Sequence, residues 1–258
     1  MIDFKKELNK EQYKVVTDGN GHCLVLAGAG SGKTRAITYR VAHLLEQGVN
    51  PSNILLVTFT NKAAHEMISR VQQLTDGNIR LPWSGTFHHI CYRILKQYAA
   101  VLEYKNNFTV LDSTDSRDLI KLCLKQEGVD RTAKRFPSAK VLQAINSYSR
   151  NAMLTIEDVL EEKYPQWLQF ADVITRVLVE YSRRKKDSNA MDFDDLLVKT
   201  CLLLSKSKEV REKFSQQFQY VLVDEYQDTN KIQATLIRLF SRHHKNLLVV
   251  GDDAQSIY

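Results

Sequence analysis

A glycine-rich stretch at residues 27–34 carries the residue types that bind phosphate. Its glycines lack a Cβ, so the turn can adopt backbone angles that direct successive N–H groups at an anion. Lys33 and Thr34 follow at the predicted start of a helix, whose N-terminal end is electropositive. In the pattern G-x-x-x-x-G-K-[ST], met here with Ala27 in first place, the lysine reaches the β- and γ-phosphates and the hydroxyl holds Mg²⁺. The predicted phosphate-binding residues are Ala27, Gly28, Ala29, Gly30, Ser31, Gly32, Lys33 and Thr34. The alternative is an ordinary glycine-rich turn between a strand and a helix.

Two adjacent carboxylates, Asp224 and Glu225, end an apolar run near the other end of the chain. A buried, unpaired charge is costly, so this placement favours a metal or another cation beside them. With Mg²⁺ present, Asp224 is expected to act through the metal shell, and Glu225 to orient and deprotonate an attacking water. Gln227 is placed to hydrogen-bond the phosphate or that water. Gln255 follows the last apolar run and is suited to sensing a γ-phosphate.

Gln12 precedes the first strand, in a short predicted helix at 8–17 with Asn9 as its N-cap. A glutamine amide can pair with adenine N6 and N7. The alternative for a single glutamine is an ordinary surface residue.

Two strand-to-helix junctions carry similar polar and aromatic residues. The first has Phe59, Thr60 and Asn61, and the second has Thr86, Phe87 and His88. Ligands of open α/β sheets bind where the strands end, and hydroxyls, helix N-termini and aromatic rings suit a nucleic-acid backbone and a stacked base. The alternatives are a core position for Phe59, a capping role for Asn61 and a structural role for the histidine.

The elements that must position these residues follow from periodicity. Fully apolar runs at 54–59, 220–223 and 246–250 predict strands buried on both faces, which are typical of a parallel sheet. Predicted helices lie at 33–47, 61–73, 113–126, 139–150, 155–161, 166–184, 192–204 and 207–217, with one more strand at 108–111. No glycine occurs from residue 129 to residue 250. We therefore expect an α/β domain formed by 1–112 and 188–258, with an all-helical insertion at 113–187.

Composition sets outer limits on function. The net charge of +6 fits a polyanionic partner, but no segment is a basic tail. The four cysteines are far apart and predict reduced thiols of a cytoplasmic protein, and no apolar run approaches the roughly 18 residues of a membrane span. The basic run Arg183, Arg184, Lys185 and Lys186 is interpreted as a solvated helix end, with a contact to phosphates as the alternative. The apolar last residues, Ile257 and Tyr258, suggest a sequence cut from a longer protein.

Seven motifs, in this order, resemble the N-terminal motifs of the UvrD/Rep family of superfamily 1 DNA helicases. They lie at residues 8–12, 27–34, 58–64, 85–88, 192–196, 223–230 and 251–258. The resemblance spans the chain, and Ala27 is usual in that family. It implies a P-loop NTPase (RecA-like) fold with a helical insertion, use of ATP and Mg²⁺, and 3′ to 5′ movement on single-stranded DNA with unwinding at duplex junctions.

The resemblance also implies roles for single residues. Gln12 would contact adenine, Arg35 would lie near the nucleotide, and Gln255 would couple ATP to DNA. Phe59, Thr60, Asn61, Thr86, Phe87 and His88 would lie along the DNA strand. Such helicases close ATP between two RecA-like domains, and the second is expected to be missing from this sequence, so we expect weak binding and little hydrolysis. The alternatives are the motor part of a helicase-nuclease and a nucleotide-switch module without DNA.

Overall fold

The glycine-rich turn lies between the first strand and the third helix. The computed structural model describes residues 2–28, 30–75, 77, 79–128 and 136–252. Helices α1 (Phe4–Glu7) and α2 (Lys10–Asp18) lead into strand β1 (His22–Leu26), and the turn then enters helix α3 (Lys33–Glu46). Asn9 caps α2 as predicted and forms a capping box with Gln12.

The remaining elements follow in chain order. They are β2 (Ile54–Thr58), α4 (Asn61–Leu74), β3 (Ser84–Thr86), α5 (Phe87–Tyr98), β4 (Thr109–Val110), α6 (Ser113–Gln126), α7 (Ala139–Ala152), α8 (Ile156–Lys163), α9 (Ala171–Asp187), β5 (Ala190–Met191), α10 (Phe193–Lys206), α11 (Lys208–Gln217), β6 (Tyr220–Val223), α12 (Lys231–Phe240) and β7 (Leu247–Gly251). Short 3₁₀ segments occur at Pro51–Asn53, Ala99–Leu102, Pro165–Phe170 and Tyr226–Asp228. Most predicted bounds agree to within two residues. The largest difference is at 166–184, where Pro165 begins a 3₁₀ segment and the α-helix starts only at residue 171.

Five strands form one parallel sheet in the order β1-β7-β6-β2-β3. β1 pairs with β7, β7 with β6, β6 with β2, and β2 with β3, each in parallel register. All five carboxyl ends therefore meet at one edge, which we call the carboxyl edge. The predicted α/β fold of the RecA-like class is confirmed.

The central strands β2 and β6 are buried on both faces of the sheet. β2 is buried along its whole length, and Val221, Leu222 and Val223 of β6 are each about as inaccessible. Helices α3 and α4 cover one face, in a cluster that contains Ile37, Val41, Leu44, Ile54, Leu56, Met67, Val71, Leu222, Leu248 and Val250. Packing of this kind fixes where each strand ends, and thereby positions the residues that follow the strands.

Helices α1 and α2 are held against α3. Leu8, Val16 and Tyr39 form a small buried cluster there. Arg40 of α3 is buried and donates to the Val16 carbonyl oxygen at 2.6 Å and to Asn20 Oδ1 at 2.8 Å. The α2 helix, which carries Gln12, is thus fixed to the helix that begins with Lys33.

The chain divides into two compact units. The first takes its described residues from 1–90, 204–229 and 234–258, and the second from 91–203 and 230–233. The second contains α6–α9, a helical core, and a small parallel sheet of β4 with β5. The strand predicted near 108–111 is therefore present, and in the described part of the chain it pairs with β5 in a separate two-stranded sheet. The predicted insertion, 113–187, lies within the second unit, and its boundaries stay a prediction.

Two further expectations concern the cysteines and membrane-spanning helices. The four cysteines are thiols that form no disulfide with one another, and all but Cys23 are buried. Within the described ranges, no helix is long and apolar enough to cross a bilayer.

Candidate functional site

The glycine-rich turn has the geometry of an anion cradle. Gly30 and Gly32 adopt left-handed φ angles of 76° and 86°, which side chains disfavour. The N-terminus of α3 has no side-chain cap and no acidic residue in its first turn. Ser31 does not cap the helix, because its Oγ donates to the Gly28 carbonyl oxygen at 2.7 Å. The first N–H groups of α3 are thus not capped by a side chain and suit an anion. Ala29 lies outside the described residues.

Lys33, the first residue of α3, points to two carboxylates at the carboxyl edge. Its ammonium Nζ lies 3.2 Å from Oδ2 of Asp252 and 3.9 Å from Oε2 of Glu225. The Lys33 side chain is only 9% exposed, and that of Asp252 only 5%. Sequence reasoning did not single out Asp252. The sequence offered only a partial signal: Asp252 follows the last apolar run, so it is expected at the same edge of the sheet, but the adjacency of β7 and β1 is seen only in the structure.

Asp224 is a second buried carboxylate of the site and directly follows β6. Burial, and then the neighbouring charge of Glu225, raise the pKa of Asp224 to about 6, against smaller opposing effects of Lys33 and a Thr34 hydrogen bond. Its Oδ1 has no hydrogen-bond partner among the described residues, and the same is true of the buried Thr58 Oγ1. Thr58 ends β2 one residue after Val57, which pairs with Val223. Thr58 is a second residue that sequence reasoning did not assign to the site.

The residues present fit Mg²⁺. Asp224 offers a buried, unpartnered oxygen, and the Thr34 hydroxyl lies beside the same carboxylate. Hard oxygen ligands of this kind are those that Mg²⁺ takes, and it is usually held by one or two carboxylates together with substrate phosphates. Within the described ranges, no group of three or more His, Cys, Asp or Glu side chains could hold a metal by itself. A site completed by phosphate oxygens agrees with both findings.

Glu225 and Gln227 form a hydrogen-bonded pair next to this carboxylate. Glu225 has a left-handed φ of 52°, an unfavourable backbone conformation for glutamate, and its side chain is 36% exposed. Gln227 donates from Nε2 to Glu225 Oε2 at 2.5 Å and accepts the Asp252 N–H on Oε1 at 3.0 Å. Both ends of the Gln227 amide are therefore engaged within the chain, and Glu225 is held in a defined orientation.

Gln12 lies against the glycine-rich turn, whereas Arg35 points to α1 and to its own helix. Gln12 donates from Nε2 to the Ser31 carbonyl oxygen at 3.1 Å. Arg35 donates to Glu7 at 2.9 Å and stacks over the Tyr39 ring at 4.8 Å. In this conformation the Arg35 guanidinium contacts α1 and its own helix.

Phe59 and Phe87, which follow β2 and β3 at the carboxyl edge, differ in exposure. Their rings pack edge to face at 5.6 Å, and Phe59 is half-buried whereas Phe87 is only 3% exposed. Thr60 is the N-cap of α4, with Oγ1 accepting the Ala63 N–H at 3.1 Å. The capping role considered for Asn61 is thus wrong, and Asn61 is exposed.

The second junction continues the same edge. Thr86 is half-buried, and its Oγ1 accepts the His89 N–H at 3.3 Å. His88 is half-buried as well. The exposed and half-buried members of the two junctions are Phe59, Thr60, Asn61, Thr86 and His88.

Comparison of the sequence with known proteins identifies the family of this chain. The model of the UvrD/REP helicase N-terminal domain matches residues 8–258. The chain belongs to this family. It is 44% identical over 254 residues to two proteins of Staphylococcus epidermidis, each named ATP-dependent DNA helicase PcrA, and 43% identical over 252 residues to the protein of that name in Staphylococcus aureus. These alignments cover 98% and 97% of the chain but 34% of each relative, so the chain spans about a third of their length.

Two further predictions concern Gln255 and the basic run at 183–186. Gln255 lies outside the described residues. The basic run is occupied by contacts within the chain: Arg183 and Arg184 pair with Glu180, and Lys186 pairs with Glu103.

Lys185 is the buried member of that run. It is 1% exposed and pairs with both Asp192 and Asp195. Burial opposes ionisation of Asp195, but the charges of Lys185 and Arg150 outweigh it and lower the pKa of that carboxyl. For Lys185, the interpretation as a solvated helix end is wrong.

Proposed function

We propose that this chain is the part of an ATP-dependent 3′ to 5′ DNA helicase that binds ATP and single-stranded DNA. The observation that carries the proposal is the convergence of Lys33 and Thr34 with Asp224 and Glu225 at one edge of a parallel sheet. Membership of the UvrD/REP family supports it, as do the printed names of the relatives. The proposed motor domain is 1–112 with 188–258, and 113–187 is its insertion; a cytoplasmic location accords with this function.

ATP would bind with its phosphates in the turn 27–34. The uncapped N–H groups of α3 would bind phosphate oxygens, and Lys33 would exchange its carboxylate partners for the β- and γ-phosphates. Gln12, held beside the turn by Ser31, would pair with the adenine edge. Thr34 and Asp224 would hold Mg²⁺, which when bound supplies charge neutralisation for the phosphates.

Glu225 would act as the base for the attacking water. Its partly exposed carboxylate is oriented by Gln227, whose other amide atom is fixed by the Asp252 N–H. A base held in this way loses less freedom when it accepts the proton of the water. Gln227 would thus position Glu225, and Gln255 would sense the γ-phosphate.

Single-stranded DNA would lie along the carboxyl edge. Phe59 would offer a half-buried ring for a base to stack on, and the buried Phe87 packs against that ring edge to face. Thr60, Asn61, Thr86 and His88 would contact phosphate and sugar. In the whole helicase, duplex junctions would be the sites of unwinding.

Hydrolysis by the 258 residues alone would be slow. Arg35, the arginine that follows Thr34, is engaged by Glu7 and Tyr39 and is not placed to stabilise charge on a γ-phosphate. The family resemblance implies that arginines for this step come from a second motor domain. We therefore expect the chain to bind ATP and turn it over at a negligible rate.

Binding of labelled oligo(dT) tests the DNA part of the proposal. Fluorescence anisotropy at several salt concentrations, with a blunt duplex as control, should give single-strand binding that weakens steeply as salt rises. A chain that binds ATP but no single strand at low salt would contradict the DNA assignment and favour a nucleotide switch. Robust DNA-stimulated ATPase activity of the purified chain would contradict the slow hydrolysis.

A further inference from the structure

The ammonium of Lys33 has an anionic partner within the chain, the carboxylate of Asp252. Oδ2 of Asp252 lies 3.2 Å from Lys33 Nζ, and both side chains are almost inaccessible to water. Glu225 is farther away, at 3.9 Å, and its side chain is 36% exposed. Among the described carboxylates, that of Asp252 therefore lies nearest to the Lys33 ammonium.

We propose that Asp252 is a positioning residue that takes the place of a phosphate oxygen on Lys33 until ATP binds. This inference rests on the proposed ATP site. A lysine side chain has several rotatable bonds, and an unpaired ammonium at this depth would be costly. The negative charge of the Asp252 carboxylate offsets that cost and keeps Nζ beside the turn 27–34. ATP must then displace Asp252 from Lys33, so the pair lowers the affinity for ATP.

Asp252 also contacts, through its backbone N–H, the residue that orients the proposed base Glu225. The N–H of Asp252 donates to Gln227 Oε1, and the other end of that amide donates to Glu225 Oε2. The space around Gln227 is tight, because a Cβ added at Gly251 would lie 3.1 Å from Gln227 Oε1. A shift of the Asp252 backbone would therefore move Gln227 and, through it, Glu225. Residue 252 thus supplies both the carboxylate beside Lys33 and the N–H that holds the Gln227 amide next to the proposed base.

Affinity for a fluorescent ATP analogue tests the inference in the full chain. Asp252→Asn keeps the shape but removes the charge, so we expect binding to tighten about tenfold, the effect of losing one charge-assisted hydrogen bond from the free state. Asp252→Glu, which restores a carboxylate, should return the affinity toward that of the unmodified chain. In a Lys33→Ala background, Asp252→Asn should have no effect. Weaker binding by Asp252→Asn, or equal tightening without Lys33, would overturn the proposal.

A second measurement needs no substitution at Asp252. Acetylation of lysines in the nucleotide-free chain, followed by mass spectrometry, should modify Lys33 at least about tenfold more slowly than the exposed Lys125, because its Nζ is paired and shielded. Equal reactivity of Lys33 and Lys125 would overturn the inference even if no Asp252 variant folds. A chain that binds no ATP at all would instead contradict the proposed function and leave the free-state pair measurable by the same labelling.

Discussion

Gln12 and Gly32 approach so closely that a Cβ on Gly32 would lie 2.6 Å from Gln12 Nε2. Gln12 is not free to move away cheaply, because Nε2 donates to the Ser31 carbonyl oxygen and Oε1 accepts the Asn9 N–H. Gly32 also has a φ of 86°. The contact therefore joins the N-terminus of α2 to the phosphate turn through one side chain, and only glycine permits it.

Gly32→Ala should damage both stability and ATP binding. The left-handed φ costs roughly 1–2 kcal/mol for an alanine, and the new Cβ would displace Gln12 from the turn. We expect about that loss in the free energy of urea unfolding, together with at least about tenfold weaker ATP binding by titration.

Gly48→Ala is the matched control for this substitution. Gly48 has a similar φ of 80°, but nothing lies within 4 Å of the position its Cβ would take. The control should lose comparable stability and keep its ATP affinity. Equal loss of ATP affinity in both variants would show that the Gln12 contact has no specific role.

The ionised carboxylate of Asp224 should lower the free energy of unfolding of the nucleotide-free chain at neutral pH, compared with acidic pH. Its folded-state pKa of about 6 lies above the ordinary value of 3.8, so the folded state holds the proton more tightly. The resulting cost is absent below the ordinary value, grows as pH rises from there, and is complete above about pH 6. Asp224→Asn should therefore be more stable than the parent by about 1–3 kcal/mol at pH 7.5, with little difference near pH 4.

Urea unfolding at the two pH values checks this prediction. Mg²⁺ with ATP should stabilise the parent chain and have little effect on Asp224→Asn, because the variant lacks the charged oxygen. A variant that is less stable than the parent at pH 7.5 would contradict the account of Asp224 as a buried carboxylate whose charge destabilises the fold until a cation binds.

Much of the site could be predicted because parallel strands end at one edge. Lys33 and Thr34 follow β1, and Asp224 and Glu225 follow β6, so the sheet topology alone brings these two pairs to the same side. The pairing of Lys33 with Asp252 could not be read in this way. It depends on β7 lying between β1 and β6, and strand order is not encoded in any local pattern.

The burial of Phe87 and Lys185 had signals in the sequence that were not used. Phe87 precedes Ile90 and Ile94 at spacings of three and seven, which places it on the apolar side of α5. Lys185 follows Tyr181 at a spacing of four on α9, again on a buried face. In both cases the helical period was a better guide than residue type.

Phe59 and Phe87 should respond differently to truncation. Phe59→Ala removes a half-buried ring and should weaken oligo(dT) binding with a loss corresponding to about 1–3 kcal/mol, while the fold is retained. Phe87→Ala removes a ring that is 3% exposed and should destabilise the chain by about 3–5 kcal/mol. Anisotropy and urea unfolding measure the two effects. Unchanged oligo(dT) binding by Phe59→Ala would remove the stacking role.

Lys185 should be far more important for stability than its neighbour Lys186. Lys185→Met leaves the buried carboxylates of Asp192 and Asp195 without their shared cation, which should cost about 3–5 kcal/mol. Lys186→Met breaks an exposed pair with Glu103 and should change the unfolding free energy by less than about 1 kcal/mol. Equal effects of the two substitutions would contradict the burial of Lys185.

The central claim is that residues 27–34 bind the phosphates of ATP through Lys33. Calorimetric titration of the full chain with ATP and Mg²⁺ tests it most directly, with Lys33→Ala as the variant and Lys125→Ala, an exposed helix position, as the control. The account predicts binding by the parent and by Lys125→Ala, and a loss of at least about a hundredfold in affinity for Lys33→Ala. Equal affinity of the parent and Lys33→Ala, or no binding by the parent, would contradict it.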